Sequence, residues 1–526
     1  MNQKYDVIVV GAGLAGLTCG AFLSRSGYKP LILEQGSKTG GLVNTFWRQG
    51  FAFDAGIRAF ENSGIIFPML ESLGIELDVI NNPVSIGIDQ NWTRLKSRDS
   101  LLDYGKMLSE LFPKDQKAIK EIIQGIDQVM GYMDVLYGID NPLFRDDFKD
   151  AAYLTKTFLP WAFKYMLKIG KIGKLNEPVN DYLARYTNNK ALIDMITQHF
   201  FKETPTFFAL SYFGLYLDYS YPLGGMGTLA EKLTEYIKTK GGYIKTHSAV
   251  NGMDSVNRIL TTSQGETFDY KKLVWAADQK NLYTSLRAEP TAALEKQDRL
   301  VTQAKGGDSV LTLYLGVDLD RNYFMERSGN HAFYIPSLKG LSSLENWRSK
   351  DPKNREELKA WLKEDLEKTT YEISVPALRD PSLAPEGKTG VIVSTLFDYD
   401  FVGLFDKAGE YKEFKKLCSQ QILETLDQSI FPGIIEKVIY KNCASPLTIE
   451  RETGNSGGAI TGWSFTGDEL PSESRFIQIA RSSQTPIPHV YQCGQWTFSP
   501  SGLPVSILTG KMAADEVDKS LKKVRR

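Results

Sequence analysis

The chain has little of what several classes of protein are built from. It has four cysteines, Cys19, Cys418, Cys443 and Cys493, and no two stand at CxxC spacing. That argues against a structural zinc site and against a disulfide framework. It has four histidines, His199, His247, His331 and His489, none at ligand spacing from another, so no metal is expected. The net charge is −1, so no whole-molecule field favours nucleic acid. Only Val7–Leu23 is both long and uncharged, and it carries four glycines. A spanning helix needs about 20 apolar residues. Asp6 precedes this run, where a signal peptide has basic residues. A cytoplasmic protein is the expectation. No internal repeat or low-complexity tract is visible.

What is there begins at Val7–Leu17, VIVVGAGLAGL, which reads as a strand, a glycine turn and a helix start. Gly11 allows the tight turn. Gly13 lets a pyrophosphate approach the backbone. Gly16 lets the helix pack closely on the strand. The phosphates then sit on the free N–H groups of the helix N-terminus, around Leu14 and Ala15. Tyr28–Leu33 reads as the second strand, and Glu34 ends it, followed by Gln35. A carboxylate there accepts hydrogen bonds from a ribose 2′-OH and repels a 2′-phosphate. The context of strand, helix and acid makes this a dinucleotide fingerprint.

The 526 residues suffice for two or three lobes with separate cores. Residues 1–90 read as the opening segment of a discontinuous nucleotide domain. Residues 91–219 contain long apolar-periodic stretches and read as a mainly helical substrate lobe. Residues 220–290 return to the nucleotide domain, through the glycine loop PLGGMG at Pro222–Gly227 and the buried strand Lys271–Ala277. Residues 291–440 read as a mixed α+β lobe. There Ser309–Leu319 alternates like a half-buried antiparallel strand, and Ser342–Thr370 is charged like a solvated surface element. Residues 441–526 close the nucleotide domain with strand Val490–Cys493 and a helix from about Pro504 to Leu521. The fold class expected is α/β: a Rossmann-like nucleotide domain with an inserted α+β substrate lobe.

The fingerprint alone does not separate FAD from NAD. Three segments favour FAD. Gly40–Gly41 lets the backbone pass close to an extended cofactor. Phe51–Gly56, FAFDAG, places Asp54 and Gly56 at a tight strand end. In QCGQWTFSPSGLPV, Gly494 ends a strand, and Gly502, Leu503, Pro504 and Val505 start a helix. A helix N-terminus stabilises the negative charge of reduced flavin.

These pieces, with YPLGGMGTLAEKL from Tyr221, DPSLAPEG from Asp380 and SPLTIERETGNSGGAITG from Ser445, resemble the phytoene desaturase-type flavoproteins. That group includes carotenoid isomerases and retinol saturases. The resemblance spans nearly the whole chain, and it implies that the Rossmann-like FAD-binding domain is of the amine-oxidase/GR2 type. It implies one non-covalent FAD, with phosphates at Gly11, Gly13 and Gly16 and ribose at Glu34. It also implies adenine recognition by backbone near Val250, and flavin-ring contacts from Gly41–Leu42 and Gly502–Val505. Two departures stand out. Leu42 and Val43 follow the GG pair, where family members often carry Arg. Pro500 and Leu503 leave no aromatic pair at the flavin face, which argues against amine oxidation.

The chemistry this implies is hydride transfer between flavin N5 and a C–C or C=C bond of a lipophilic polyene, isoprenoid or steroid-like substrate. Desaturation, saturation and isomerisation all fit. No nucleophile–base constellation is legible, and no side chain stands out as the catalytic acid or base. Asp54 and Glu450 lie in family-like segments, and holding loops or flavin hydroxyls is the more ordinary role for such carboxylates. No second GxGxxG follows a strand, so the electron donor or acceptor is expected to be external. Leu154–Leu175 carries five lysines and no acid, interleaved with Phe158, Trp161, Phe163, Tyr165, Met166 and Leu167. It suits either peripheral contact with an anionic membrane or a core helix with solvated lysines. A non-catalytic lipid or prenyl escort of the same fold is the alternative function. The intact fingerprint favours the enzyme.

Overall fold

The computed structural model describes residues 3–145, 151–467 and 469–525. The first sheet is built around strand Gln3–Val10, whose Val7, Ile8 and Val9 are wholly buried. It pairs in parallel with Leu31–Leu33 on one side and Thr267–Trp275 on the other. Tyr243–Lys245 extends the parallel part beyond Leu31–Leu33. Thr267–Trp275 also pairs with Ile259–Thr262 along one part and with Val490–Gln492 at its end. Strands buried on both faces are continuous apolar runs, which is how these read in sequence. Helix Leu14–Arg25 covers the sheet, and the last helix, Leu503–Arg525, packs along it.

The second sheet runs in the order Val438–Ala444, Ser309–Val317, Thr389–Phe397, Tyr371–Ser374, His331–Ile335, Val84–Ile88, Asn91–Leu95. Val84–Ile88 pairs in parallel with His331–Ile335, and antiparallel with Asn91–Leu95 across a two-residue turn at Asp89 and Gln90. The expected half-burial of Ser309–Leu319 is corrected here. Strand Ser309–Val317 lies between two antiparallel partners and is buried along nearly its whole length. Leu311, Leu313 and Leu315 enter one core, and Tyr314 enters another with Phe51 and Phe53. Ser342–Thr370 differs likewise. Its helix, Arg355–Lys368, buries Leu358, Leu362 and Leu366 at four-residue spacing beneath a charged face.

Helices dominate the described part of residues 101–215, as their periodicity predicts: Ser100–Leu111, Gln116–Leu136, Leu159–Ile172, Val179–Leu183, Lys190–Thr197 and Thr206–Leu215. All but Leu159–Ile172 share one core with Val84, Ile86, Ile88 and Ile335 of the second sheet, and Ile169 and Ile172 of that helix pack separately with Tyr132 and Phe207. A three-stranded sheet of Phe60–Glu61, Tyr219–Pro222 and Val79–Asn81 links this lobe to the nucleotide domain. Among the described residues no helix is long and apolar enough to cross a membrane.

Candidate functional site

The glycine turn follows strand Gln3–Val10. Gly11 has φ +101°, and a Cβ there would lie 2.8 Å from the Ala276 carbonyl oxygen. At Gly16 a Cβ would lie 2.0 Å from the Gly11 carbonyl, so only glycine lets the helix start against the turn. Gly13 faces open space, with nothing within 4 Å of an added Cβ. It is the N-cap of helix Leu14–Arg25 and supplies no side-chain cap, so the first-turn N–H groups at Leu14, Ala15 and Gly16 are left for a ligand.

Glu34 reaches this turn. Its Oε2 accepts from Ala12 N–H and its Oε1 from Gly36 N–H, each at 2.7 Å. The Ser248 N–H bonds the Glu34 carbonyl at 2.7 Å, which brings the approach to strand Val250–Asp254 alongside. Gln35 is exposed and lies against Gly454. On the other side, Gly40 bridges to Gly13, and an added Cβ on Gly41 would be 3.4 Å from the Gly13 Cα. Gly56 lies against Leu42, whose carbonyl oxygen a Cβ there would meet at 2.0 Å.

The chain's last elements complete the cradle. Gly494 follows strand Val490–Gln492 and comes to 3.3 Å of the Ala15 Cβ, measured from an added Cβ. Gly502 immediately precedes helix Leu503–Arg525, with Pro504 buried and Leu503 and Val505 half-buried. Just before it, the hydroxyls of Ser499 and Ser501 are buried without a hydrogen-bond partner. Orphaned buried hydroxyls beside a helix N-terminus call for a polar ligand. They were not singled out from sequence, although SPSGLP held the signal. Together with the open space at Gly13, they fit a dinucleotide lying from the first helix to the last.

Asp54 is wholly buried and takes three hydrogen bonds: from Thr45 Oγ1 at 2.8 Å, Tyr221 OH at 2.8 Å and Met226 N–H at 2.9 Å. It clamps the PLGGMG loop. Asp380 of DPSLAPEG holds the same loop through Gly224 N–H at 2.9 Å. Glu450 accepts from Tyr399 OH at 2.6 Å and Gly457 N–H at 3.0 Å. Both acids singled out in sequence thus hold loops.

An aromatic wall lies beyond the cradle. Strand Phe60–Glu61 begins four residues after Gly56, with Glu61 opposite Tyr219. From helix Thr206–Leu215 the rings run Phe208, Tyr212, Tyr216, Tyr219, with successive centroids 5.3, 5.7 and 5.5 Å apart. Tyr219 stacks on His331 at 5.7 Å, and Phe333 meets both Tyr216 and His199 at 5.1 Å. Protein surrounds the Glu372 carboxyl, yet 30% of its side chain stays accessible. Glu61, Tyr137, His199 and Tyr212 are equally deep and also keep accessible surface. A recess in the protein therefore reaches these groups.

The two acids here are shifted in opposite directions. Burial, with a smaller contribution from Asp218, pushes Glu61 up to about 7. Burial alone would raise Glu372 too, but the bond from His331, and then Arg58 and Arg379, hold it below the ordinary carboxylate range. Asn82 Oδ1 accepts from Arg379, so its Nδ2 faces His331 Nδ1 as a donor at 3.0 Å. His331 therefore carries its proton on Nε2 and donates to Glu372 at 2.9 Å. Burial lowers the His331 pKa and keeps the ring neutral. None of these chamber residues was singled out as a site from sequence.

A glycine turn, two helix N-termini facing it and an acid, Glu34, bonded to the turn define the class: an oxidoreductase of the dinucleotide-binding fold. The chain belongs to the flavin-containing amine oxidoreductase family, whose sequence model matches residues 14–518. It is 24% identical over 528 residues to the zebrafish (Danio rerio) all-trans-retinol 13,14-reductase, covering 94% of this chain and 82% of that one. It is 23% identical over 540 residues to the chloroplastic prolycopene isomerase of Daucus carota, covering 98% and 80%. A solved oxidoreductase from Methanosarcina mazei shares the fold, with TM-score 0.60 at 14% identity over 98% of this chain and 100% of that one. The likeness expected from the motifs is the likeness found, and the protein is a flavin-dependent oxidoreductase.

Proposed function

We propose that the cofactor is one FAD and that the enzyme acts on a carbon–carbon bond of a lipophilic polyene, isoprenoid or steroid-like substrate. The observation that carries this is continuity: Asp54 and Gly56 of the cradle and Glu61 of the chamber stand on one short stretch of chain. When bound, FAD supplies the hydride acceptor or donor. The protein's role is to hold the substrate and keep water out. Tyr212 and Phe333 keep accessible surface against which a conjugated chain can lie, backed by the buried rings of Tyr216 and Tyr219. The retinoid and carotenoid named for the relatives are ligands of that shape. The electron donor or acceptor is external.

The same reading gives helix Leu159–Ile172 to an anionic membrane surface, on the cytoplasmic side. Leu159, Phe163, Met166 and Leu167 are 57–68% exposed, with Lys164, Lys171 and Lys174 exposed among or just beyond them. The inner side is anchored, with Trp161 Nε1–H donating to the Val135 carbonyl at 2.6 Å. Exposed apolar groups among lysines suit a headgroup–acyl boundary, from which a lipophile can be drawn.

The test is an anaerobic screen of polyenes, retinoids, steroids and unsaturated fatty acids, first with reduced and then with oxidised flavin. Flavin reoxidation by an alkene supports saturation, and bleaching by a more saturated isoprenoid supports desaturation. Colourless protein that still binds isoprenoids would make it an escort instead.

A further inference from the structure

A polar cavity of about 570 Å³ lies at the edge of the first sheet, and none of the cradle's glycines lines it. That is the size of a small-molecule site. Its walls are Tyr283 of helix Gln279–Thr284, Gln297 of helix Ala292–Gln303, Gln492, Thr497 and parts of the stretch 469–486. The start and the far end of helix Phe476–Ser483 bring Arg475 and Arg481 to it. The two guanidinium groups converge: Gln478 Oε1 accepts from Arg475 Nη2 at 2.6 Å and from Arg481 Nη1 at 2.9 Å. The carboxylates on the wall are already taken. Glu473 Oε1 accepts from Arg475 Nε at 3.1 Å, and Glu469 pairs with Lys296 at 3.6 Å. Among the described residues Arg481 has no acidic partner, and its side chain donates only to the neutral Gln478 amide. The Ser472 hydroxyl, on the same wall, is buried without a hydrogen-bond partner. Two cations sharing one uncharged oxygen repel each other, and an anion beside them would relieve both.

We infer that Arg475 and Arg481 bind the phosphate group of a small phosphorylated ligand, at a site separate from the flavin. Two planar guanidinium forks offer paired donors to a tetrahedral dianion, more than one carboxylate can accept. The Ser472 hydroxyl adds a donor. The cavity exceeds what a bare phosphate ion fills, so the ligand carries a polar body, with Gln297 and Gln484 as amide partners for it. A hydrogen bond links this site to the cradle: the Glu473 carbonyl accepts from Ser499 N–H at 2.9 Å. The inference is independent of the substrate proposed above. The phosphate belongs to a soluble ester or to a lipid headgroup, and the test separates these two sources.

The test is calorimetric titration of the flavin-loaded protein in phosphate-free buffer, so that the cradle is already filled. Inorganic phosphate reads the shared chemistry, AMP a soluble ester, and dihexanoyl phosphatidate below its micellar concentration a lipid headgroup. Wild type should bind phosphate saturably, and acetate about tenfold more weakly. Arg481→Gln should weaken phosphate binding about tenfold, the worth of one charge-assisted hydrogen bond, with flavin content unchanged. Ser472→Ala should weaken it about threefold. Lys171→Gln, on the exposed helix, should leave it as in wild type. If Arg481→Gln loses flavin or native circular dichroism, Arg481→Lys, which keeps the charge and loses the fork, carries the test and should weaken binding in the same direction. Tighter binding of AMP than of phosphate supports a soluble ester, and tighter binding of the phosphatidate supports a headgroup. Neither binding more tightly than phosphate overturns the larger ligand. No saturable phosphate binding in wild type, acetate binding as tight as phosphate, or undiminished affinity in the folded Arg481 variant overturns the site.

Discussion

The Tyr221 hydroxyl donates to Asp54 Oδ2 at 2.8 Å, and the Tyr221 ring lies 3.8 Å beneath the Arg379 guanidinium. One side chain thus ties the tight strand end of FAFDAG to the segment that leads into DPSLAPEG. Two motifs distant in sequence belong to a single joint, with the PLGGMG loop between them.

Asp54→Ala should destabilise the protein by about 2–4 kcal/mol, because three donors lose their acceptor inside the core. Chemical denaturation gives the value. Flavin content should fall with it, since the loop and the strand end at Gly56 come apart. A loss below about 0.5 kcal/mol would remove the clamp role.

Glu34→Arg should weaken FAD binding tenfold to hundredfold. It removes a charge-assisted acceptor worth about 1.5–3 kcal/mol and places a cation beside the glycine turn. Titration of apoprotein with FAD measures it. Unchanged affinity would take Glu34 out of the site.

Acid precipitation of the purified protein should release all the yellow colour into the supernatant. All four cysteines are buried, and burial pushes the Cys443 thiol up to about 11, so it stays a poor nucleophile. Colour left in the pellet would establish a covalent link.

Lys164, Lys168, Lys171 and Lys174 changed together to Gln should reduce sedimentation with anionic liposomes. Each contributes about 1 kcal/mol near such a surface, and salt should erase the difference. Wild type that ignores anionic liposomes at low salt would return the helix to a purely structural role.

Glu61 should make stability fall as pH rises. Its folded pKa, about 7, lies above its ordinary 4.5, so the native state holds more protons between those values. Stability is fullest below about 4.5 and declines through about 7, by up to about 3 kcal/mol. Asp365, also raised to about 7, adds a parallel slope. The measurement is therefore the difference between wild type and Glu61→Gln, by urea denaturation from pH 5 to 8. Identical slopes would place Glu61 in contact with water.

The nucleotide cradle was legible because its demands are local. A turn at φ +101° and a helix start 2.0 Å too close for a Cβ are met only by glycine at fixed spacing. The chamber was not legible because its demands are tertiary. Glu61, Tyr212, His331 and Glu372 each look ordinary in their own segments, and only the packing of the helical lobe on the second sheet brings them together. The same holds for Val84–Ile88, whose parallel partner His331–Ile335 lies far along the chain. Orphaned Ser499 and Ser501 show the limit from the other side: a serine beside a helix start usually caps it, and only burial shows that these two have nothing to bond.

The order of synthesis has a consequence. Strand Thr267–Trp275 stands between the first strand and Val490–Gln492, and helix Leu503–Arg525 lies along helix Leu14–Arg25. A chain still on the ribosome at residue 480 has made its glycine turn but lacks the wall against which that turn packs. Until the last helix emerges, the apolar flank of Leu14–Arg25 stays bare and a passing chaperone can hold it. The cradle is therefore complete only when Val490–Gln492 and Leu503–Arg525 have joined the first strand and helix, so a chain cut before residue 490 should hold no flavin.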